Sequence, residues 1–214
     1  EEFIREKILE DWSPEQISGR MRLTNESLRV SHETIYKSIY AWAEKSNDRT
    51  WTRLRTARKT RYKRKDLKLR LNPRSNIAGE SIVNRPEVVN TRSRLGDYER
   101  DTLLGTFNSA VLLSVVERKS RRVFLKKMPH KTAKAAHDAT MSLLRNSPVF
   151  TITNDNGSEF SSHETTATKL KARIYFSRPY RPWERGANEN MNGLLRQYFP
   201  RNKDLKNVST CLLY

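Results

Sequence analysis

The chain has 214 residues, with 42 Lys or Arg against 24 Asp or Glu, so its formal net charge is +18. This length allows one medium domain and a small one. The charge favours a polyanionic partner, with nucleic acid as the first choice and an anionic membrane surface as the alternative. No apolar run is long enough to cross a bilayer, no signal peptide is visible, and the single cysteine excludes an internal disulfide. These features predict a cytoplasmic protein.

Residues 1–45 predict a small domain of three short helices. Ser13 and Gln16 have the spacing of a capping box, in which each residue satisfies a backbone N–H of the other at a helix start. Ser31 is expected to cap the third helix. The apolar residues of that helix recur at i, i+4 and i+7 and predict its buried face: Ile35, Ile39 and Trp42.

This order of helices resembles a helix-turn-helix, whose last helix enters the major groove of DNA. The candidate base-facing residues lie near the start of the third helix: His32, Glu33, Tyr36 and Lys37. A plain three-helix bundle without base contacts is the alternative.

Residues 46–94 are expected to form a basic linker. Twelve Lys or Arg and one acid fall between residues 49 and 74, and the candidate phosphate contacts are in the densest part: Arg61, Lys63, Arg64 and Lys65. The alternative is a solvated, flexible linker with no ligand. Leu54 and the other leucines of this segment are too sparse to build a core, and residues 77–90 are expected to be an extended connector.

Residues 95–206 predict a second domain with a mixed sheet. Strands are expected at 97–104, 110–117 and 123–128, followed by a helix at 132–145 and a strand at 149–153 that leads to Asp155. A helix at 162–170, a strand at 172–176 and a helix that carries Glu189 complete the order. Periodicity alone indicates an α/β fold.

The last helix is expected to separate an apolar stripe from a polar face. Its apolar residues are at i, i+3, i+4 and i+7: Met191, Leu194, Leu195 and Tyr198. The opposite face would carry Glu189, Asn192, Gly193 and Arg196. Glu189 is therefore expected to point away from the core contact of its own helix.

Carboxylates from three separate elements suggest a site for hard divalent cations. Asp155 follows a strand, Glu189 lies on the last helix, and Asp101 lies on the first strand beside Asp97 and Glu99. Oxygen ligands suit Mg²⁺, and two such ions can activate a hydroxyl and stabilise a leaving oxygen. The alternatives are a turn role for Asp155, a solvent-facing Glu189, and a ligand role for Asp97 or Glu99 in place of Asp101.

Four motifs carry a family resemblance. They are Gly-Asp-Tyr-Glu-Arg-Asp-Thr at 96–102, Val-Glu-Arg-Lys-Ser-Arg at 116–121, Thr-Asn-Asp-Asn-Gly-Ser-Glu-Phe at 153–160, and the run from Arg-Gly-Ala-Asn-Glu to Gln-Tyr-Phe-Pro at 185–200. Together they resemble the insertion-sequence-thirty family of transposases, which are Asp-Asp-Glu recombinases. That family shares a ribonuclease H-like fold with retroviral integrases.

The resemblance implies a fold, a reaction and a site. The fold would be α/β, with a ribonuclease H-like mixed sheet and flanking helices, preceded by the small helix-turn-helix domain. Asp101, Asp155 and Glu189 would be the catalytic, metal-binding triad, with two Mg²⁺ ions that Mn²⁺ can replace. The reaction would be cleavage and strand transfer on double-stranded DNA, at mobile-element ends and target DNA. The protein would act as a homo-oligomer on DNA, at the nucleoid of a bacterial cytoplasm. Arg196 would contact the DNA.

The sequence departs from the family pattern in three places. Arg100 stands where relatives usually have Gly, the chain begins at the helix-turn-helix, and it ends soon after the last helix, so a C-terminal truncation is expected. A catalytically inactive DNA-binding remnant is therefore the alternative function, and a different ribonuclease H-like nuclease is a third. The four histidines lack metal-ligand spacing, so a zinc site is not expected.

Overall fold

The computed structural model describes residues 1–24, 29–46, 48–55, 79–106, 109–179 and 181–209. The chain divides into two compact units, Glu1–Arg70 and Leu71–Tyr214. The candidate phosphate contacts Arg61, Lys63, Arg64 and Lys65 lie outside the described residues. None of the helices in the described part of the chain is long and apolar enough to cross a membrane.

The first unit contains helices α1 (Glu2–Leu9), α2 (Pro14–Thr24) and α3 (His32–Ser46). The capping box at the start of α2 is confirmed, because Ser13 N donates to Gln16 Oε1 at 2.8 Å and Gln16 N donates to Ser13 Oγ at 3.3 Å. The expected cap of α3 is also present, since Thr34 N donates to Ser31 Oγ at 3.1 Å.

The core of this unit extends beyond residue 45. It is formed by the buried apolar residues Ile4, Ile8, Ile17, Met21, Ile35, Ile39, Trp42 and Leu54. The expectation that Leu54 belongs to no core is wrong, because a 3-10 turn at Thr50–Arg53 brings it onto the helices, where it is 5% exposed. An ion pair of Asp48 with Arg5 ties the same segment to α1.

The second unit begins earlier than residue 95. Strand β1 (Glu80–Ser81) pairs in parallel with a later strand of the sheet, and α4 (Glu87–Asn90) buries Val89. The extended connector expected at 77–90 is therefore wrong for its described part. Apolar side chains such as Ile82, which is 8% exposed, fold this segment onto the sheet.

The rest of the unit follows the expected order. The strands β2 (Asp97–Leu104), β3 (Val111–Glu117) and β4 (Val123–Met128) form an antiparallel meander. They are followed by α5 (Ala133–Leu144), β5 (Thr151–Asn154), α6 (His163–Leu170), β6 (Arg173–Phe176) and α7 (Gly186–Tyr198). The sheet order is β1-β6-β5-β2-β3-β4. The neighbours β1–β6, β6–β5 and β5–β2 pair in parallel, and β2–β3 and β3–β4 pair antiparallel. The α/β fold with a mixed sheet and flanking helices is confirmed.

The two faces of the sheet carry separate cores. Side chains alternate along a strand, and on β3 Leu113 joins one cluster with Ile152 and Phe160, whereas Leu112 joins another with Leu103 and Phe199. Leu195 of α7 is partly buried and packs against the second cluster. Strand β2 is therefore enclosed between two packed layers, and its polar side chains are held at defined positions.

The expected division of α7 into faces is partly wrong. Asn188 is 1% exposed and Asn192 contacts β2, whereas Tyr198, expected in the apolar stripe, is 58% exposed. The helix meets β2 through polar side chains, because that strand presents carboxylates at this point. Periodicity cannot detect a buried face that is polar.

Candidate active site

Asp101 lies on β2 and is oriented by its neighbours. Its Oδ1 accepts a hydrogen bond from Thr102 N at 2.8 Å, and its Oδ2 accepts one from Asn192 Nδ2 of α7 at 2.9 Å. Ser114 Oγ on β3 donates to Asn192 Oδ1 at 3.2 Å. The Asp101 carboxylate is therefore fixed by groups from three elements.

Asp155 follows β5, the parallel neighbour of β2. Its Oδ1 accepts a hydrogen bond from Gly157 N at 3.0 Å, so the turn role weighed for this residue is present. The same carboxylate is 21% exposed and borders a cavity. One oxygen thus closes the turn, while the side chain remains accessible at the end of a strand, a usual place for chemistry in α/β sheets.

Arg185 joins the two aspartates. Its Nη1 lies 3.3 Å from Asp101 Oδ2 and its Nη2 lies 3.6 Å from Asp155 Oδ2, with the arginine side chain only 13% exposed. The residue directly precedes α7. Sequence reasoning did not single out Arg185, although a cation four residues before Glu189 in the longest motif was an available signal.

Burial and neighbouring charges shift the pKa of the Asp101 carboxyl. Burial raises the pKa of its carboxyl, the Arg185 guanidinium opposes this, and the Asp155 carboxylate raises the pKa further. The net direction is upward, as expected for a carboxyl that is withdrawn from water beside a like charge. A cation between the two aspartates is the arrangement that offsets their repulsion.

Glu189 is not brought into this cluster. It lies in the first turn of α7, is exposed, and has no side-chain hydrogen bond or ion pair to another described residue. Across the described ranges, no three His, Cys, Asp or Glu side chains are arranged to hold a metal ion. The structure therefore joins two members of the predicted triad and leaves the third on the helix that carries Asn192 and follows Arg185.

The two competing carboxylates of β2 have structural partners. Asp97 accepts two hydrogen bonds from Arg94, at 2.9 and 3.1 Å, and one from Thr151 Oγ1 at 2.7 Å. Glu99 is fully buried, forms an ion pair with Arg118, and accepts a hydrogen bond from the backbone N–H at the start of α7 at 2.9 Å. Both are occupied in holding the fold, which leaves Asp101 as the accessible carboxylate of the strand.

A cavity of about 330 Å³ adjoins the aspartates. It is lined by Asp101, Thr102, Leu104, Lys131, Asp155, Asn156, Gly157 and Ser158. Beneath the lining lies the buried carboxylate of Glu159, whose Oε1 accepts a hydrogen bond from Thr102 Oγ1 at 2.8 Å and lies 3.1 Å from Lys131 Nζ. Sequence reasoning did not single out Lys131, which lies in none of the four motifs, or Thr102, which ends the motif at 96–102 without a role assigned to it.

The donors at this cavity fit a divalent cation. Asp101 and Asp155 supply carboxylate oxygens, the ligands that Mg²⁺ prefers. They converge on one cationic group, the Arg185 guanidinium, so their geometry already accommodates positive charge between them. The donor set fits the metal that the sequence resemblance implies, with two of the three expected carboxylates in place.

The chain is 40% identical over 201 residues to "Transposase for insertion sequence element IS4351" of Bacteroides fragilis, which covers 92% of this chain and 60% of that protein. It is 34% identical over 207 residues to "Transposase InsI for insertion sequence element IS30A" of Escherichia coli K12, which covers 93% of this chain and 54% of that protein. The chain is similar to insertion-sequence transposases over most of its own length.

The family resemblance that the motifs predicted is thereby confirmed. The chain spans 54% to 60% of the length of these transposase relatives. No family model matches the chain. Among solved structures, the catalytic core domain of BIV integrase is similar at 23% identity and a TM-score of 0.39, over 45% of this chain and 63% of that one.

Arg100, which the family resemblance did not lead us to expect directly before Asp101, points away from that aspartate. It is 1% exposed, its Nε donates to Asn154 Oδ1 at 2.9 Å, and its Nη1 donates to Thr140 Oγ1 at 2.8 Å. Its guanidinium lies 4.7 Å from the ring centroid of Phe160. Burial lowers the pKa of Arg100 to about 9, although the Glu159 carboxylate acts in the opposite direction. The cation supports the strand that leads to Asp155 and does not enter the cavity.

The remaining candidate residues have different surroundings. Lys37 is exposed, His32 and Glu33 are half-buried, and Tyr36 is half-buried with its hydroxyl 3.3 Å from Glu15 Oε1. In the second unit, Arg196 Nη1 donates to Leu104 O at 2.7 Å and to Phe199 O at 3.2 Å. Arg196 therefore closes the end of β2.

Proposed function

We propose that this chain is a transposase that binds the ends of its mobile element and catalyses metal-dependent DNA strand cleavage and strand transfer. The observation that carries the proposal is the convergence of Asp101 and Asp155 on Arg185 at the edge of an open cavity. The similarity to transposases over 92% of the chain supports the reaction class. The catalytic residues of the proposal are Asp101, Asp155 and Glu189.

These three carboxylates would hold two Mg²⁺ ions, for which Mn²⁺ can substitute. When bound, such ions lower the pKa of a water or hydroxyl and stabilise the leaving oxygen of a phosphodiester. Glu189 would join the aspartates through α7, the helix that Asn192 already ties to Asp101. Glu189 would approach the aspartates by a shift of the first turn of α7 that breaks the hydrogen bond from Asn188 N to Glu99 Oε2.

The protein groups have roles of their own in this scheme. Asn192 and the Thr102 N–H hold the Asp101 carboxylate in one orientation. Arg185 offsets the repulsion between the carboxylates of Asp101 and Asp155. The buried pair of Glu99 with Arg118 fixes β2 beneath α7. No tyrosine or serine nucleophile is needed, because water and a DNA hydroxyl are the attacking groups.

DNA recognition is assigned to the first unit and the basic segment. In the proposal α3 enters a major groove, with His32, Glu33, Tyr36 and Lys37 at the base edges. The phosphate contacts come from Arg61, Lys63, Arg64 and Lys65, with Arg196 near the catalytic cavity. The enzyme would assemble as a homo-oligomer on two element ends, at the nucleoid of a bacterial cytoplasm. The net charge of +18 supports a polyanionic partner.

The test uses purified protein and duplexes that contain the flanks of its own gene. Strand nicking and joining are followed with Mg²⁺ or Mn²⁺ for the unchanged protein, Asp101→Asn, Glu189→Gln and Glu164→Gln. Glu164 is an exposed helical glutamate of α6 outside the cavity, so its variant is the matched control. We expect metal-dependent products from the unchanged protein and the control, and none from the other two variants. Products that persist in Glu189→Gln would contradict the assigned triad.

The second candidate function is a DNA-binding remnant that occupies element ends without cutting them. The exposure of Glu189, and its separation from the two aspartates, favour this alternative over a different nuclease. Specific binding of element ends without any product from the unchanged protein would establish it.

A further inference from the structure

Lys131 lines the cavity, and a buried carboxylate fixes its position. Its ammonium lies 3.1 Å from Glu159 Oε1, and its side chain is 39% exposed while that of Glu159 is 1% exposed. The lysine lies just before α5, and Glu159 lies in the turn that follows β5. Contacts between these two elements therefore place a partly open cation on a buried carboxylate.

The buried carboxylate is itself held in place from a third element. Thr102 Oγ1 of β2 donates to Glu159 Oε1 at 2.8 Å. Glu159 Oε2 is buried and has no hydrogen-bond partner within the described residues. A Cβ on Gly157 would lie 2.4 Å from Glu159 Oε2 and 2.9 Å from Asp155 Oδ1, so the two carboxylates face each other across this glycine. Lys131 is thus anchored directly behind the proposed catalytic aspartate.

The charges around the cavity separate into two parts. Arg185 is committed to Asp101 and Asp155, at 3.3 and 3.6 Å. Lys131 is the cationic member of the lining, as far as the described residues show. An ammonium has three donors, and the contact to Glu159 uses one of them. The remaining donors of Lys131 can bind an anion that enters the cavity.

We propose that Lys131 binds a DNA phosphate that neighbours the cleaved phosphodiester on the same strand. The inference rests on the proposed function, because it assumes that DNA enters the cavity at Asp101 and Asp155. A lysine supplies a point charge suited to a phosphate oxygen. Glu159 acts as the positioning residue, since it fixes the ammonium while its own charge is withdrawn from the DNA by burial. The alternative is an ion pair that only supports the fold.

The experiment replaces single phosphates of the element-end duplex by uncharged methylphosphonates, one position at a time. Equilibrium binding is measured by fluorescence anisotropy for the unchanged protein, Lys131→Gln and Lys134→Gln, with Ca²⁺ in place of Mg²⁺ so that oxygen ligation is kept. In Lys131→Gln the new side-chain amide would still be able to donate to Glu159, which protects the fold. Lys134 is an exposed lysine in the first turn of α5 that does not line the cavity, so it is the matched control.

We expect one phosphate position at which neutralisation weakens binding of the unchanged protein and of Lys134→Gln about five-fold, the upper end for one solvent-accessible ion pair. The same substitution should cause no further loss in Lys131→Gln. An identical position profile for the unchanged protein and Lys131→Gln would overturn the inference. The inference would also be overturned if Lys131→Gln bound every duplex more weakly by the same factor. That pattern would mean that Lys131 adds positive charge without contacting one particular phosphate.

A second measurement does not depend on a variant. Lysine acylation of the unchanged protein is followed by mass spectrometry with and without the duplex. DNA should protect Lys131 and leave Lys134 reactive, and equal reactivity of Lys131 in both conditions would refute the contact. Nicking with Mg²⁺ is recorded in parallel. If one phosphate position depends on Lys131 but the protein never nicks the duplex, the proposed enzymatic activity is contradicted and the phosphate contact stands.

Discussion

Arg185 lies 3.3 Å from Asp101, with the guanidinium on the same carboxylate oxygen that Asn192 also contacts. The arginine comes from the segment before α7, and the aspartate from β2, 84 positions earlier in the chain. This contact links the position of α7 to the charge on β2. Two further contacts hold α7 to the same strand: Asn188 N donates to Glu99 Oε2, and Asn192 Nδ2 donates to Asp101 Oδ2.

Replacement of Arg185 should destabilise the protein, and Mg²⁺ should reverse the effect. We expect Arg185→Gln to lower the free energy of unfolding by about 1–2 kcal/mol, because two partly buried carboxylates lose their shared cation. Urea denaturation with and without Mg²⁺ measures the change. The control is Arg173→Gln, which removes an exposed pair with Glu80 and should cost well under about 1 kcal/mol. An Mg²⁺-independent deficit in Arg185→Gln would count against a shared cation site.

Glu99 and Asp101 should respond to substitution in opposite ways. Glu99→Gln removes one partner of a fully buried ion pair with Arg118 and should cost about 3–5 kcal/mol of stability. Asp101→Asn loses the ion pair with Arg185 but also removes the repulsion from Asp155, so stability should stay within about 1 kcal/mol while nicking is lost. Denaturation and nicking assays on both variants test this. A stable Glu99→Gln protein without nicking would mean that the catalytic carboxylate of β2 has been misassigned.

The buried Arg100 should tolerate a long apolar side chain better than a short one. Arg100→Ala leaves a cavity beside Phe160 and removes donors to Asn154 and Thr140, so a loss of about 3–5 kcal/mol is expected. Arg100→Met fills most of the volume and should cost less than half as much. Thermal and urea unfolding compare the two variants. Equal losses would show that the two hydrogen bonds, and not the packing volume, determine the stability at this position.

The ionisation of Tyr36 should lower the stability of the folded protein at alkaline pH. Burial, followed by the Glu15 carboxylate, raises the pKa of its phenol from 10.0 to about 12. The unfolded chain ionises at the lower value, so this contribution to stability is complete below pH 10, and it is lost as the pH rises through about 12. The difference in tyrosinate absorbance between the unchanged protein and Tyr36→Phe should therefore show a midpoint near 12. Glu15→Gln should lower that midpoint, and an unmoved midpoint would exclude the carboxylate as a cause.

Local signals in the sequence were sufficient to predict most of the helices and strands. The capping box of Ser13 and Gln16 identified the start of α2, and the apolar residues at 110–117 identified the strand β3, which the structure buries on both faces. These features depend on residues within a few positions of each other, so a one-dimensional pattern contains them. The misplaced segment at 77–90 had no such signal, because β1 has only two residues and forms by pairing with a distant strand.

The sequence by itself determined the carboxylates of the candidate site and the family to which they point. The tertiary structure alone decided which of them meet. Asp101 and Asp155 come together because β2 and β5 are neighbours in the sheet, and Arg185, Lys131 and Glu159 join them from three further segments. Such contacts depend on strand order and on which face each side chain occupies, and neither is encoded in the spacing of residues along the chain.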